Sequence, residues 1–225
     1  MVCVRRWFII LGLWLLSAPF YPLVIASEPE KKSSIKIVVI GDSLTAGYGV
    51  EPERAYPVLL ESKLQKKGYN VVVINAGISG STTAGAASRL RWQLKGKFDV
   101  LVLALGANDG LRGLEPKRSQ KNLGEAIDLA LKSKLKVMLA GMKMPQNYGK
   151  DYQSRFEKTF RDLADKYKAE KVVFMPYLLQ DVGGVKELNQ PDGIHPNEKG
   201  QETMAENILP YIEKLLNGKA STKEI

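Results

Sequence analysis

The stretch that decides the fold is Ile35-Lys36-Ile37-Val38-Val39-Ile40-Gly41-Asp42-Ser43-Leu44. Its apolar residues are β-branched and run on without the polar alternation of a half-exposed strand. Such a segment reads as a strand covered on both faces, as in a parallel sheet. Gly41 ends it, so Asp42 and Ser43 stand just past a strand's carboxyl end. Runs of the same kind recur at 71–74, 100–105, 137–140 and 172–174. Helix-like stretches lie between them at 56–67, 82–93, 117–132 and 152–167, with a last one at 198–216. Five strands alternating with helices predict a doubly wound α/β domain over 35–217. A chain of 225 residues gives no reason to propose a second.

Open α/β sheets bind ligands outside the carboxyl ends of their strands. Three polar or glycine-bearing segments follow strands directly: Gly41-Asp42-Ser43, Asn75-Ala76-Gly77 and Gly106-Ala107-Asn108-Asp109. Far downstream, Asp192-Gly193-Ile194-His195-Pro196 carries the only histidine of the chain, just before the last helix. Serine is a poor nucleophile unless a base lies within hydrogen-bond reach, and an imidazole, which titrates near about 6.5, suits that task. Asp192, three residues before His195, can fold back in a turn and orient the ring. Acyl transfer also needs donors aimed at the developing oxyanion. The backbone N–H of Ser43, that of Gly77 and the side-chain amide of Asn108 are the candidates.

Each of these residues has a plainer reading. Asp192 and His195 alone fit an idle surface turn, Gly77 a turn residue and Asn108 a loop cap. Asp42 and Asp109 compete as the triad acid, but only Asp192 has a short sequence link to His195. Their succession after consecutive strands favours the catalytic reading.

The four segments, in this order and over nearly the whole of 35–217, resemble the four blocks of the SGNH or GDSL hydrolases. Gly41-Asp42-Ser43-Leu44-Thr45-Ala46-Gly47-Tyr48-Gly49, the stretch from Gly106 to Leu114, and Pro145-Gln146-Asn147-Tyr148-Gly149 are most similar to the family's bacterial thioesterase, lysophospholipase and arylesterase branch. The resemblance implies a three-layer α/β/α, flavodoxin-like fold. It also implies a triad of Ser43, Asp192 and His195, with an oxyanion hole of Ser43, Gly77 and Asn108. The segment 110–115, with Gly110, Leu111 and Leu114, is then expected to flank the acyl groove and to move on substrate binding. Met144, Pro145 and Tyr148 are expected on the far side of that groove, although a methionine after a strand is commonly core. The implied substrates are acyl esters, thioesters and lysophospholipids.

Residues 1–26 read as a secretory signal peptide. Arg5 and Arg6 precede an apolar run from Trp7 to Leu16, and Val24 and Ala26 suit the positions before a cleavage site. Pro19 and Pro22 interrupt the run early for a spanning helix. Cys3, the only cysteine, lies in that segment, so the mature chain has no disulfide and rests on its core. A polar linker is expected over 27–34 and a polar tail over 218–225. These features predict a periplasmic or secreted monomer.

The net charge is +9, of which the leader's two arginines contribute two, leaving +7 on the rest. That balance suits transient contact with an anionic membrane surface. The basic residues are dispersed and not interleaved with aromatics, which argues against a nucleic-acid partner. One histidine and no mature cysteine leave only carboxylates for a metal, and no phosphate-loop pattern follows the first strand, so no cofactor is expected. Two other readings stay open: a carbohydrate deacetylase carrying the same blocks, and a non-catalytic lipid-binding module.

Overall fold

The five expected strands are β1 (Ile35–Gly41), β2 (Val71–Gly77), β3 (Val100–Ala104), β4 (Lys136–Ala140) and β5 (Val173–Met175). In the computed structural model, which describes residues 33–217, they form one parallel sheet in the order β2-β1-β3-β4-β5. The expected leader, the linker as far as residue 32 and the tail from 218 lie outside the described residues. The helices are α1 (Ser43–Ala46), α2 (Tyr56–Lys66), α3 (Ala86–Gln93), α4 (Ala107–Leu111), α5 (Pro116–Lys132), α6 (Lys150–Lys166) and α7 (Glu198–Asn217). α2 packs with α7, while α5 packs with both α3 and α6. The sheet lies between these two groups, giving the three-layer architecture expected.

The continuous apolar runs are continuous because both faces are covered. Ile37, Val38, Val39 and Ile40 of β1, and every residue of β3, are fully buried. Each such aliphatic side chain contributes about 1.5–3 kcal/mol relative to remaining exposed. β2 is an edge strand and is covered less completely, with Ile74 exposed. Among the described residues no helix is long and apolar enough to cross a membrane.

Two helices were not legible as periodic patterns, because α1 and α4 have only four and five residues. The expected helix over 82–93 is in fact a 3₁₀ turn, Thr83–Gly85, followed by α3. The strand order turns back between β1 and β3, where an open α/β sheet leaves a crevice at its carboxyl ends. Ser43 leaves the sheet from β1 and Asn108 from β3, so this crevice lies between them.

Candidate active site

Ser43 is the first residue of α1, and Asp42 caps that helix by accepting the Leu44 N–H on its side chain at 3.1 Å. A helix leaves the N–H groups of its first turn without intrahelical partners, and Ser43 carries one of them. A buried polar cluster supports this turn from α2 and α7. Gln201 of α7 accepts from Tyr56 N at 2.8 Å and donates to Leu44 O at 3.3 Å, while Thr45 Oγ1 and Tyr56 Oη lie 3.0 Å apart. These contacts hold Ser43 at one position above the sheet.

The Asp192–His195 segment reaches that position from just before α7. Gly193 has a φ of 67°, a left-handed conformation that a side chain disfavours, and it folds the Asp192 carboxylate back on the chain. Asp192 Oδ1 accepts from the N–H groups of Ile194 and His195 at 2.9 and 3.0 Å. Asp192 Oδ2 lies 2.6 Å from His195 Nδ1. The backbone N–H of His195, its ring and the N–H of Ile194 hold the Asp192 carboxyl down at about 2. Asp192 is therefore an anion that can only accept, so His195 Nδ1 carries the hydrogen. With Nδ1 engaged as the donor to Asp192, Nε2 is the ring nitrogen that faces Ser43 Oγ, 2.9 Å away. This arrangement can take a proton from the serine hydroxyl.

The three expected donors surround the same strand ends in different states. Asn108 Nδ2 donates to Asp42 Oδ2 at 3.4 Å, and its amide has a second N–H. The Gly77 N–H is bonded to Asn75 Oδ1 at 2.9 Å, a side chain of its own strand. Gly77 is also needed as a glycine for packing, because a Cβ there would meet Ala46 N at 2.3 Å. The backbone that approaches it is α1.

Neither competing aspartate touches the imidazole. Asp42 is fully buried, and loss of hydration pushes its carboxyl up to about 6 against the bonds from Leu44 and Asn108. Asp109, also buried, accepts from Thr83 N at 2.8 Å, Thr83 Oγ1 at 2.5 Å and Ser119 Oγ at 3.1 Å. It ties the 3₁₀ turn before α3 to α4 and α5.

The expected groove residues gather at the end of α4. Gly110 and Leu111 lie within that helix and not in a loop, and the segment is tethered. Tyr148 Oη donates to Leu111 O at 2.9 Å, and Tyr152 Oη donates to Leu114 O at 2.8 Å. The mobile segment expected over 110–115 is thus held by two tyrosine hydroxyls in this structure. Met144 is a core residue whose sulfur packs directly on Gly110. Pro145 is exposed, and its carbonyl accepts from Gln153 Nε2 at 2.6 Å.

Three further residues at this site are not marked as functional by the sequence. The Tyr48 ring lies against His195, with centroids 4.6 Å apart. Gln190 Nε2 donates to Tyr48 O at 2.6 Å and to Pro196 O at 3.1 Å, joining the serine and histidine segments. Arg89 donates to the carbonyls of Gly41 and Ala76. Tyr48 and Gln190 lie within or beside the motif segments already quoted. Arg89 lies in mid-helix, where nothing local marks it.

Known proteins are similar to this chain over most of its length. Esterase TesA of Pseudomonas aeruginosa is 38% identical over 188 residues, covering 83% of this chain and 92% of its own. Thioesterase 1/protease 1/lysophospholipase L1 of Escherichia coli K12 is 33% identical over 182 residues, covering 80% of this chain and 85% of its own. The crystal structure of the psychrotrophic esterase EstA from a Pseudoalteromonas species, inhibited by monoethylphosphonate, aligns with a TM-score of 0.75 at 33% identity. It covers 81% of this chain and 98% of EstA. Residues 39–203 match the sequence model of the GDSL-like lipase/acylhydrolase family. This chain belongs to that family and is a hydrolase of the esterase type.

Proposed function

We propose that this chain hydrolyses esters and thioesters of acyl chains through Ser43, His195 and Asp192. The observation that carries the reading is the pair of contacts at His195, 2.9 Å to Ser43 Oγ and 2.6 Å to Asp192 Oδ2. Ser43 Oγ attacks the acyl carbonyl carbon while its proton passes to His195 Nε2. Asp192, fixed by two backbone N–H groups, stabilises the imidazolium that results. The carbonyl oxygen becomes an oxyanion received by the Ser43 N–H and the free N–H of the Asn108 amide. The Gly77 N–H joins them by exchanging the neutral Asn75 oxygen for the charged one.

Collapse of this intermediate expels the alcohol or thiol, which takes the proton from His195. Water then attacks the acyl-enzyme with His195 again as base, releasing the carboxylic acid and restoring Ser43. The acyl chain lies along Gly110, Leu111 and Leu114, bounded by Tyr148 and Pro145, with Met144 beneath them. The leader-like residues 1–26 support action in the periplasm or outside the cell, and the net positive charge of the rest suits transient contact with an anionic membrane surface. There acyl-CoA is scarce, which favours lysophospholipids or other external esters as substrates.

A chain-length series of p-nitrophenyl esters, assayed beside palmitoyl-CoA and a lysophospholipid, tests the reading. Rates that rise from acetyl towards longer chains support it. Rates that peak at acetyl, with no turnover of the lysophospholipid, would favour a deacetylase.

A further inference from the structure

The guanidinium of Arg89 bridges the carboxyl ends of two neighbouring strands. Nη1 donates to Gly41 O at 2.9 Å, and Nη2 donates to Ala76 O. Gly41 and Gly77 are paired in the β1–β2 register, so both acceptors lie at the rim from which Ser43 and Gly77 emerge. Among the described residues Arg89 forms no ion pair with a carboxylate within 4 Å. Burial disfavours its charge, and the nearby charge of Asp42 acts in the opposite sense. A half-buried cation bonded to main-chain carbonyls is a costly way to fasten two strands that their own ladder already joins.

The Ala76 carbonyl belongs to the same peptide group as the Gly77 N–H. A cationic donor on the carbonyl oxygen polarises that group, and hydrogen bonds in series strengthen one another. The effect is a stronger donor at the N–H end. The second arm, on Gly41 O, fixes the same guanidinium to the strand that leads into Asp42 and Ser43. One rigid fork therefore sets the spacing between the serine turn and the Gly77 peptide.

We propose that Arg89 is a positioning residue for acyl transfer, holding and polarising the Ala76–Gly77 peptide so that the Gly77 N–H serves the oxyanion. The proposal rests on the reading of Gly77 as an oxyanion donor. Arg89 acts through that peptide and touches no reacting atom. Its contribution belongs to the tetrahedral intermediate and not to substrate binding.

The test compares Arg89→Met and Arg89→Lys with the wild type, with rates normalised to active sites titrated by a phosphonate burst. For Arg89→Met, kcat on p-nitrophenyl butyrate should fall about 10- to 100-fold, less than the roughly 10²–10³ expected on deleting a donor outright. KM should stay within about threefold, because the lost interaction forms only in the transition state. Inhibition by a trifluoromethyl ketone, which forms a tetrahedral oxyanion on the serine, should weaken by the same factor as kcat. Arg89→Lys should lie between the two, and guanidinium at millimolar concentration should restore part of kcat in Arg89→Ala.

A merely structural arginine would change the melting temperature and the titrated fraction, leaving kcat per active site and ketone affinity unmoved. That result would overturn the proposal. A crystal structure of the phosphonylated wild type separates the two ways of failing. A phosphoryl oxygen beyond hydrogen-bond reach of Gly77 N removes the oxyanion reading and the role of Arg89 with it. A phosphoryl oxygen within reach, combined with a fully active Arg89→Met, removes the role of Arg89 alone.

Discussion

Asn108 Nδ2 lies 3.4 Å from Asp42 Oδ2, so the side-chain amide beside the crevice is moored to a fully buried carboxyl at the end of the neighbouring strand. One N–H holds the amide plane, and in the proposed mechanism the other receives the oxyanion. Replacing Asn108 by alanine should lower kcat by roughly 10²–10³, or about 3–4 kcal/mol, with little change in KM. Steady-state kinetics on a p-nitrophenyl ester measure this. A rate within about twofold of wild type would remove Asn108 from the oxyanion hole.

The two aspartates flanking Ser43 and His195 should shape stability in opposite directions. Burial raises the Asp42 carboxyl from 3.8 to about 6, so the folded state holds that proton more tightly than the unfolded one. The resulting stability is fully present below 3.8 and is lost as pH rises through about 6. Asp192, lowered from 3.8 to about 2, contributes stability above 3.8 that is lost as pH falls through about 2. Its exposure keeps that contribution small. Asp42→Asn should therefore flatten the decline from 3.8 to about 6 and add up to about 3 kcal/mol at neutral pH. Urea titrations at several pH values test this, and a difference from wild type that does not vary with pH would contradict it.

Tyr48 presents its ring to the imidazole at 4.6 Å between centroids, where an imidazolium formed during attack lies within reach of the π face. Tyr48→Leu should lower kcat about 2- to 5-fold, the equivalent of roughly 0.5–1 kcal/mol at an exposed site. Tyr48→Phe should retain the rate, because the ring and not the hydroxyl makes the contact. A Phe variant as impaired as the Leu variant would assign the effect to the hydroxyl instead.

Asp109, in α4, joins the 3₁₀ turn before α3 to α5 through three hydrogen bonds from Thr83 and Ser119. Removing its carboxylate leaves buried donors without a partner. Asp109→Ala should cost about 3 kcal/mol or more in denaturant unfolding. A loss under about 1 kcal/mol would mean that water replaces the carboxylate at those donors.

The strands were legible because each is a continuous apolar run, and the site was legible because its segments begin where those runs end. Asp192 and His195 meet as the spacing suggested, since a three-residue turn at Gly193 needs no distant partner to form, whereas Ser43, 152 residues away, was singled out by its place at a strand's carboxyl end and by the motif it carries. What stayed hidden depends on contacts between segments remote in sequence. Arg89 reaches back 48 residues to Gly41, and Gln190 reaches back 142 to Tyr48. Leu111 and Leu114 read as free loop residues because the tyrosines that hold them come more than thirty residues later. Gly77 was recognised, but the sequence could not say that α1 packs against it.

Covalent labelling by an organophosphonate, located by peptide mass spectrometry, tests the central claim most directly. One phosphonyl group per chain is predicted, attached to Ser43, with labelling absent from Ser43→Ala and strongly slowed in His195→Ala while both variants remain folded. Stoichiometric labelling of another residue, or ester turnover at the wild-type rate in Ser43→Ala, would contradict the account.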